Sequence, residues 1–248
     1  MSGVARHKNR LPNGNWIPQE IGQAMGDLAL PAGYLGYMAR TTRTLLLRHG
    51  EVDRAWRQRI YGGHDVPLSE RGLRQSRAAA KRLSLFATGP VVTSGLSRTR
   101  ALGELLAGGR PTITEPALTE IDRGAWLGRS WEELDEERQD DGGDLSPWRA
   151  WWINGGRTSA PGGESLLDLW ERVLPTVEQL VRTYPGQTLT LVAHSWVQRL
   201  LVAHALGLSV EGTMGLNLPT AGLAVLDWHA AGRVELAGLR PGDLPPLS

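Results

Sequence analysis

The sequence predicts an α/β fold, a three-layer α/β/α sandwich on a mainly parallel sheet, from three observations. Apolar runs at Leu45–Leu47, Pro90–Thr93 and Leu189–Ala193 lack the polar alternation of half-exposed strands, as expected of strands buried on both faces. Each leads into a stretch of helical periodicity, and alternating strands and helices lay helices on both faces of a sheet. A chain of 248 residues, 41% hydrophobic and 21% charged, can also bury the core that such a sandwich needs.

Residues 1–40 are rich in Gly, Pro, Asn and Gln without sustained periodicity, and read as a disordered N-terminal arm. Met38, just ahead of the first strand, is a second candidate initiator, and the mass of the native product decides between the two. From residue 41 to 248 the sequence reads as one catalytic-type domain. Thr44–Leu47 is the first strand, running into Arg48-His49-Gly50-Glu51. Ser69 caps a helix to about Leu85, with Glu70 favourable in its first turn and Leu73, Ala80 and Leu83 facing the core. Pro90–Thr93 is a buried strand, and a helix from Leu96 to Ala107 is stopped by Gly108-Gly109. Thr112–Thr114 is a short third strand.

The stretch from about 120 to 165 reads as a lid. It is Trp-rich and irregular from Gly124 to Gly163, with one short helix at Trp131–Glu137. Glu164–Thr183 is an amphipathic helix with Leu166, Trp170, Val173, Val177 and Leu180 on one stripe, and Pro175 predicts a kink. Leu189–Ala193 is a parallel-type strand ending at His194, followed by a helix over Val197–Leu206. Ala221–Trp228 and Arg233–Ala237, joined at Ala231-Gly232, form a closing hairpin.

Charge excludes several functions. Twenty-seven basic residues against 26 acidic give a net charge of +1, so no global field draws the chain to nucleic acid or a membrane. The absence of cysteine removes disulfides, thiolate metal sites and a Cys nucleophile. No apolar run spans a bilayer and the N-terminus lacks a signal-type apolar core, so a cytoplasmic protein is expected. No sequence feature speaks for an oligomeric state.

In a mainly parallel sheet, ligands bind beyond the carboxyl ends of the strands. There the first strand delivers Arg48 and His49, the second leads to Ser94 and Arg98, and a later one delivers His194. Guanidinium forks suit phosphate oxygens, and Arg98 sits in the first turn of a helix, where free N–H groups favour an anion. Taken singly, Arg48-His49 is more often a strand-end charge beside a satisfied histidine. Its convergence with Arg98 and His194 on one rim favours chemistry.

Leu45–Glu51 resembles the signature of the histidine phosphatase (phosphoglycerate mutase-like) superfamily. The similarity continues in order through Tyr61–Gly72, Thr93–Arg100, Pro116–Glu120 with Gly124, Trp126 and Gly128, then Pro161–Ser165 and Val192–Ser195, covering about residues 42–238. The resemblance implies a phosphoglycerate mutase-like fold and a metal-independent phosphatase without cofactor, acting on a small-molecule phosphate ester. It implies His49 as the nucleophile that becomes phosphohistidine, Arg48, Arg98 and His194 as holders of the phosphoryl oxygens, Glu120 as proton donor, and Arg59 and Ser195 at the substrate. Ala55 stands where many relatives have Asn, and Ser195 where Gly is common. Glu51, Glu115 and Asp122 are rival carboxylates to Glu120. Two further activities stay open: phosphoglycerate mutase-type transfer, and a phospho-ligand binder without turnover. His204 reads as structural, His64 as a loop residue near the mouth. Trp126, Trp131, Trp148, Trp151 and Trp152 read as packing for the lid, with an aromatic wall for an organic leaving group as the sharper alternative.

Overall fold

The computed structural model describes residues 9–10, 16–17, 41–137, 145–230, 232–240 and 242. Within the predicted arm, Asn9–Arg10 (β1) and Trp16–Ile17 (β2) pair antiparallel. The rest of residues 1–40, Met38 included, lies outside the described residues.

Thr42–Arg48 forms β3 because β-branched and leucine side chains here can be buried on both sides: Leu46 and Leu47 are fully enclosed. Val91–Thr93 (β4), Ile113–Thr114 (β5), Thr188–Ala193 (β6), Leu223–Trp228 (β7) and Val234–Arg240 (β8) complete a six-stranded sheet of order β5-β4-β6-β3-β7-β8. The four strands β5, β4, β6 and β3 are mutually parallel, whereas β7 and β8 add as an antiparallel edge. The closing hairpin forms where predicted, but its strands run Leu223–Trp228 and Val234–Arg240, because Ala221 at φ 56° cannot continue the first; Gly232 is at positive φ in the turn, and Ala231 lies outside the described residues.

Period-two burial sends alternate side chains to opposite layers. Leu45, Leu47, Val91 and Val192 meet the helices Glu70–Leu83 (α1) and Ser97–Ala107 (α2). Leu46, Val92, Leu189 and Leu191 face a larger core with Leu166–Thr183 (α5) and Ser195–Ala205 (α6). Each fully buried leucine contributes about 2 kcal/mol of transfer free energy. The predicted caps hold: Ser69 accepts from the Gly72 N–H, and Gly108 ends α2 in the left-handed region. Ser165 caps α5 in a capping box with Asp168, so the helix begins at Leu166, two residues inside the predicted start at Glu164, and Pro175 is accommodated within this 18-residue helix.

The segment predicted to be irregular carries two helices, Trp131–Glu136 (α3) and Pro147–Ile153 (α4). The second was missed although Ser146-Pro147 is a sound start: Ser146 accepts from the Arg149 N–H and Pro147 occupies the first turn. Trp148, Trp151 and Trp152 so close together obscured its period; Trp148 and Trp151 turn inward at a spacing of three. Residues 138–144 of the predicted lid lie outside the described residues. Among the described residues, no helix is long and apolar enough to cross a membrane.

Candidate active site

Register brings the two histidines together. Arg48 pairs with Ala193 across the parallel β3–β6 ladder, so His49 and His194 leave adjacent strands at one level. Their rings lie 5.2 Å apart between centroids, and both are buried. Thr93 pairs with Val192, which places Ser94 beside them; its Oγ lies 2.9 Å from His194 Nε2.

The His49 ring is oriented by its own backbone. Nδ1 lies 2.7 Å from the Gly50 carbonyl, which can only accept, so Nδ1 carries the proton and Nε2 keeps its lone pair. Gly50 has no room for a side chain, since a Cβ there would lie 2.4 Å from the Gly72 carbonyl oxygen. The His49 carbonyl accepts from Ala221, a non-glycine residue at φ 56°. Backbone strain thus sits one hydrogen bond from the His49 main chain.

Burial, reinforced by Arg98 and Arg48, pushes the His49 pKa well below the usual histidine range; the Gly50 contact opposes it. His194 is depressed too, by burial first and then by Arg98, His49, Arg48 and Arg172. Both rings are therefore neutral near pH 7. Arg98 is fully buried, its Nη1 donating to the His64 carbonyl at 2.6 Å and its Nη2 to Gly62 at 2.7 Å. Its buried Nε has no partner. Burial lowers its pKa, opposed by Tyr61, Glu120 and Asp65. Arg48 donates to the Leu218 carbonyl at 2.8 Å.

One expectation is corrected. The first N–H of α2 is not open to an exogenous anion: Asp65, 32 residues upstream, accepts from the Ser97 N–H at 2.8 Å and from its hydroxyl at 2.7 Å. The helix end that meets the carboxylate expected to act as proton donor is that of α6, where the Trp196 N–H donates to Glu120 at 3.2 and 3.3 Å to its two oxygens. Glu120 is buried, and its backbone is gripped by Arg172, which donates to the Ala117, Thr119 and Glu120 carbonyls while paired with Glu164 at 2.6 Å.

The rival carboxylates are engaged elsewhere. Glu51 pairs with Arg57 and Arg71 and accepts from Ser69, Glu115 caps Ala117, and Asp122 accepts from Gly124. The Gly162-Gly163-Glu164-Ser165 turn serves the same clamp, because Glu164 also accepts from the Asp122 N–H at 2.9 Å. Among the described residues, no group of three or more His, Cys, Asp or Glu is arranged to hold a metal ion.

The sequence model of the histidine phosphatase superfamily (branch 1) matches residues 44–238, which reach into every strand of the large sheet and include His49 and His194. The chain belongs to this superfamily. A protein named "probable phosphoglycerate mutase GpmB" from Cronobacter sakazakii is 33% identical over 204 residues, covering 78% of this chain and 91% of that protein. A protein of the same name from Escherichia fergusonii is 31% identical over 202 residues, with the same coverage of each chain. Among solved structures, a mycobacterial glucosyl-3-phosphoglycerate phosphatase superposes with a TM-score of 0.71 at 28% identity, covering 82% of this chain and all of that one. A putative α-ribazole-5'-P phosphatase from Escherichia coli shares the fold, with a TM-score of 0.70 at 23% identity, covering 82% of this chain and 98% of that one.

Not every residue drawn from the family likeness joins the buried cluster. Arg59 is exposed and donates to the Gly128 carbonyl at 2.7 Å. Ser195 opens α6, half-buried, between His194 and the Trp196 N–H that binds Glu120. The His64 side chain is exposed, its backbone carbonyl serving Arg98, and His204 lies between Trp170 and Trp228.

Four residues escaped the sequence reading: Arg123, Arg172, Trp196 and Arg199. The last two are three apart on α6 just after His194, a spacing that shares a helix face. Arg123 lies inside the matched stretch between Glu120 and Gly124, where a charge flanked by packing residues was the available signal. A cavity of about 670 Å³ lined by Leu45, Leu83, Phe86, Leu223 and Val225 lies on the α1 side of the sheet and includes neither histidine.

Proposed function

We propose that this superfamily member is a phosphomonoester hydrolase working in two steps through His49. In the first, His49 Nε2 attacks phosphorus, the ester P–O bond breaks, and the Glu120 carboxyl gives its proton to the departing alcohol oxygen. In the second, Glu120 takes a proton from water, the water oxygen attacks phosphorus, and cleavage of the P–N bond releases phosphate and regenerates the imidazole. Arg48, Arg98 and His194 stabilise the equatorial oxygens, which is most of what phosphoryl transfer asks of a protein. The Gly50 carbonyl accepts from Nδ1 throughout, steadying the ring as it gains positive character.

The observation that carries this reading is a neutral, buried imidazole whose Nδ1 is held by a carbonyl, 5.2 Å from a second imidazole and beside two guanidinium groups. Burial and cationic neighbours keep the nucleophile unprotonated at neutral pH. The substrate would be a small phosphate ester. The test is hydrolysis of p-nitrophenyl phosphate in EDTA. Turnover is expected, and its complete loss in His49→Ala. Unchanged turnover in that variant would remove His49 from the chemistry, and binding without turnover in the wild type would favour a phospho-ligand binder.

Mutase-type transfer has one observation in its favour, the name of the GpmB relatives. Against it, the interval from Glu120 to His194 is short for the additional Arg-rich substrate segment that the superfamily's mutases carry. Phosphorus NMR with 3-phosphoglycerate separates the two, a phosphatase giving inorganic phosphate and a mutase the 2-isomer.

A further inference from the structure

His194 is fully buried, and its two ring nitrogens are treated differently. Nε2 lies 2.9 Å from the Ser94 Oγ, whereas Nδ1 is enclosed and meets no hydrogen-bond partner among the described residues. Behind Ser94 the contacts continue inward. Ser94 Oγ lies 3.0 Å from Thr99 Oγ1, and Thr99 Oγ1 lies 2.8 Å from the Leu96 carbonyl oxygen. Ser94 and Thr99 are both buried, so bulk water offers their hydroxyls no alternative partner.

This row of contacts has a direction. A carbonyl can only accept, and a hydroxyl has one proton to give. Thr99 therefore gives its proton to Leu96 and can only accept from Ser94. Ser94 in turn gives its proton to Thr99 and can only accept from His194. The opposite sense would set the Thr99 and Leu96 oxygens against each other at 2.8 Å with no proton between them. The Leu96 N–H, 3.5 Å from Ser94 Oγ, is a second donor to the same oxygen. Neutral His194 is thus held with its proton on Nε2 and a lone pair on Nδ1. His49 is the reverse, since the Gly50 carbonyl keeps its proton on Nδ1.

We infer that Ser94 and Thr99 are positioning residues that fix the tautomer of His194, and that His194 meets the phosphoryl group through Nδ1, taking up a proton there as phosphate binds. This rests on the phosphatase reading and adds how the anion is recognised. With Nε2 tied to Ser94, Nδ1 is the one ring nitrogen left for a phosphoryl oxygen. As a lone pair it repels a dianion; once protonated it becomes a charge-assisted donor. A phosphate ester entering as the monoanion passes its own proton from oxygen to Nδ1, leaving a dianion beside an imidazolium. A dianion draws the same proton from solvent, and the proton leaves again with inorganic phosphate. The charged and titratable groups facing His194 from neighbouring elements are His49 and Arg48 at the end of β3, Arg98 on α2 and Arg172 on α5. Together with burial they keep the free ring neutral, and the bound dianion reverses that balance.

Imidazole ¹⁵N NMR of the full chain, with rings assigned by through-bond correlation to the backbone, reads each tautomer without any turnover. In mildly alkaline buffer, wild-type His194 is expected to carry its proton on Nε2 and none on Nδ1, and His49 the reverse. Saturating inorganic phosphate should then protonate His194 Nδ1 as well. Thr99→Val keeps the side-chain shape but removes the last hydroxyl of the row. It should let His194 populate the other tautomer and lower kcat/KM for p-nitrophenyl phosphate about tenfold, with Thr99→Ser restoring both. A proton on Nδ1 in the free wild type, or a His194 still neutral with phosphate bound, would overturn the assignment; both are read without any variant. So would an unchanged tautomer in a folded Thr99→Val. If p-nitrophenyl phosphate turns over while the tautomer is the opposite one, the relay falls and the phosphatase stands. If the expected tautomers are seen but no ester turns over, the phosphatase reading falls and the relay stands.

Discussion

Arg98 and Arg123 are two guanidinium groups buried around one site, and the protein holds them in opposite ways. Arg98 is fixed by two backbone carbonyls of the Gly62–His64 loop before any ligand arrives. Arg123 has only aromatic faces around it. The difference is one of support, hydrogen bonds on one side and aromatic packing on the other. Phosphoryl transfer gains from groups locked in position before reaction, because reorganisation then adds nothing to the barrier. The region therefore has a rigid half at the strand ends, locked by hydrogen bonds, and a half on the tryptophan-rich segment held by aromatic packing.

The largest expected effect breaks the rigid half. His49→Ala should lower turnover of any ester by about 10⁴-fold or more, since it removes the proposed nucleophile. Glu120→Gln should cost about 10²- to 10⁴-fold for an alkyl ester and less for p-nitrophenyl phosphate, whose leaving group needs little protonation. Equal loss on both would show that Glu120 is not the acid.

Stability gives the sharpest contrast between the two arginines. Arg98→Met strands the Gly62 and His64 carbonyls, each bonded to a charged donor, and should destabilise by about 3 kcal/mol or more in a denaturant titration. Arg123→Met leaves no acceptor stranded and should be neutral or stabilising. A loss at Arg123 as large as at Arg98 would show that the two are held alike.

The histidines add a pH dependence. Their folded pKa values lie well below the unfolded value of about 6.5, so the unfolded chain binds more protons under mild acid. Their contribution is fully present above that unfolded value and is lost as pH falls below it, by about 1.4 kcal/mol per pH unit for each ring still neutral in the fold. His194→Ala should flatten that slope. The smallest effect belongs to the frame: Ser165→Ala removes the α5 cap and should cost about 1 kcal/mol.

The same division decides what the sequence made legible. His49, His194 and Arg98 could be placed because apolar runs fix where strands end, and parallel register brings those ends to one level. The likeness of Arg48-His49-Gly50 and its companion motifs to the superfamily then supplied their roles. Asp65 at the start of α2 was not legible, because nothing local links residue 65 to a helix 32 positions on. The tryptophan box around Arg123 escaped for a similar reason. Its walls come from α4 and α6, and the period of α4 was hidden by adjacent tryptophans. Arg59 shows the converse, a residue drawn from family likeness that this chain holds at the surface on the Gly128 carbonyl.

The most direct test of a covalent step at His49 is rapid quench of the wild-type enzyme with ³²P-labelled ester, followed by peptide mapping. The expected result is one acid-labile, base-stable label on the peptide containing His49, formed and lost at rates that account for turnover and absent in His49→Ala. A label on another residue, or full turnover with no trapped phosphoryl group under conditions where phosphohistidine survives, would contradict it.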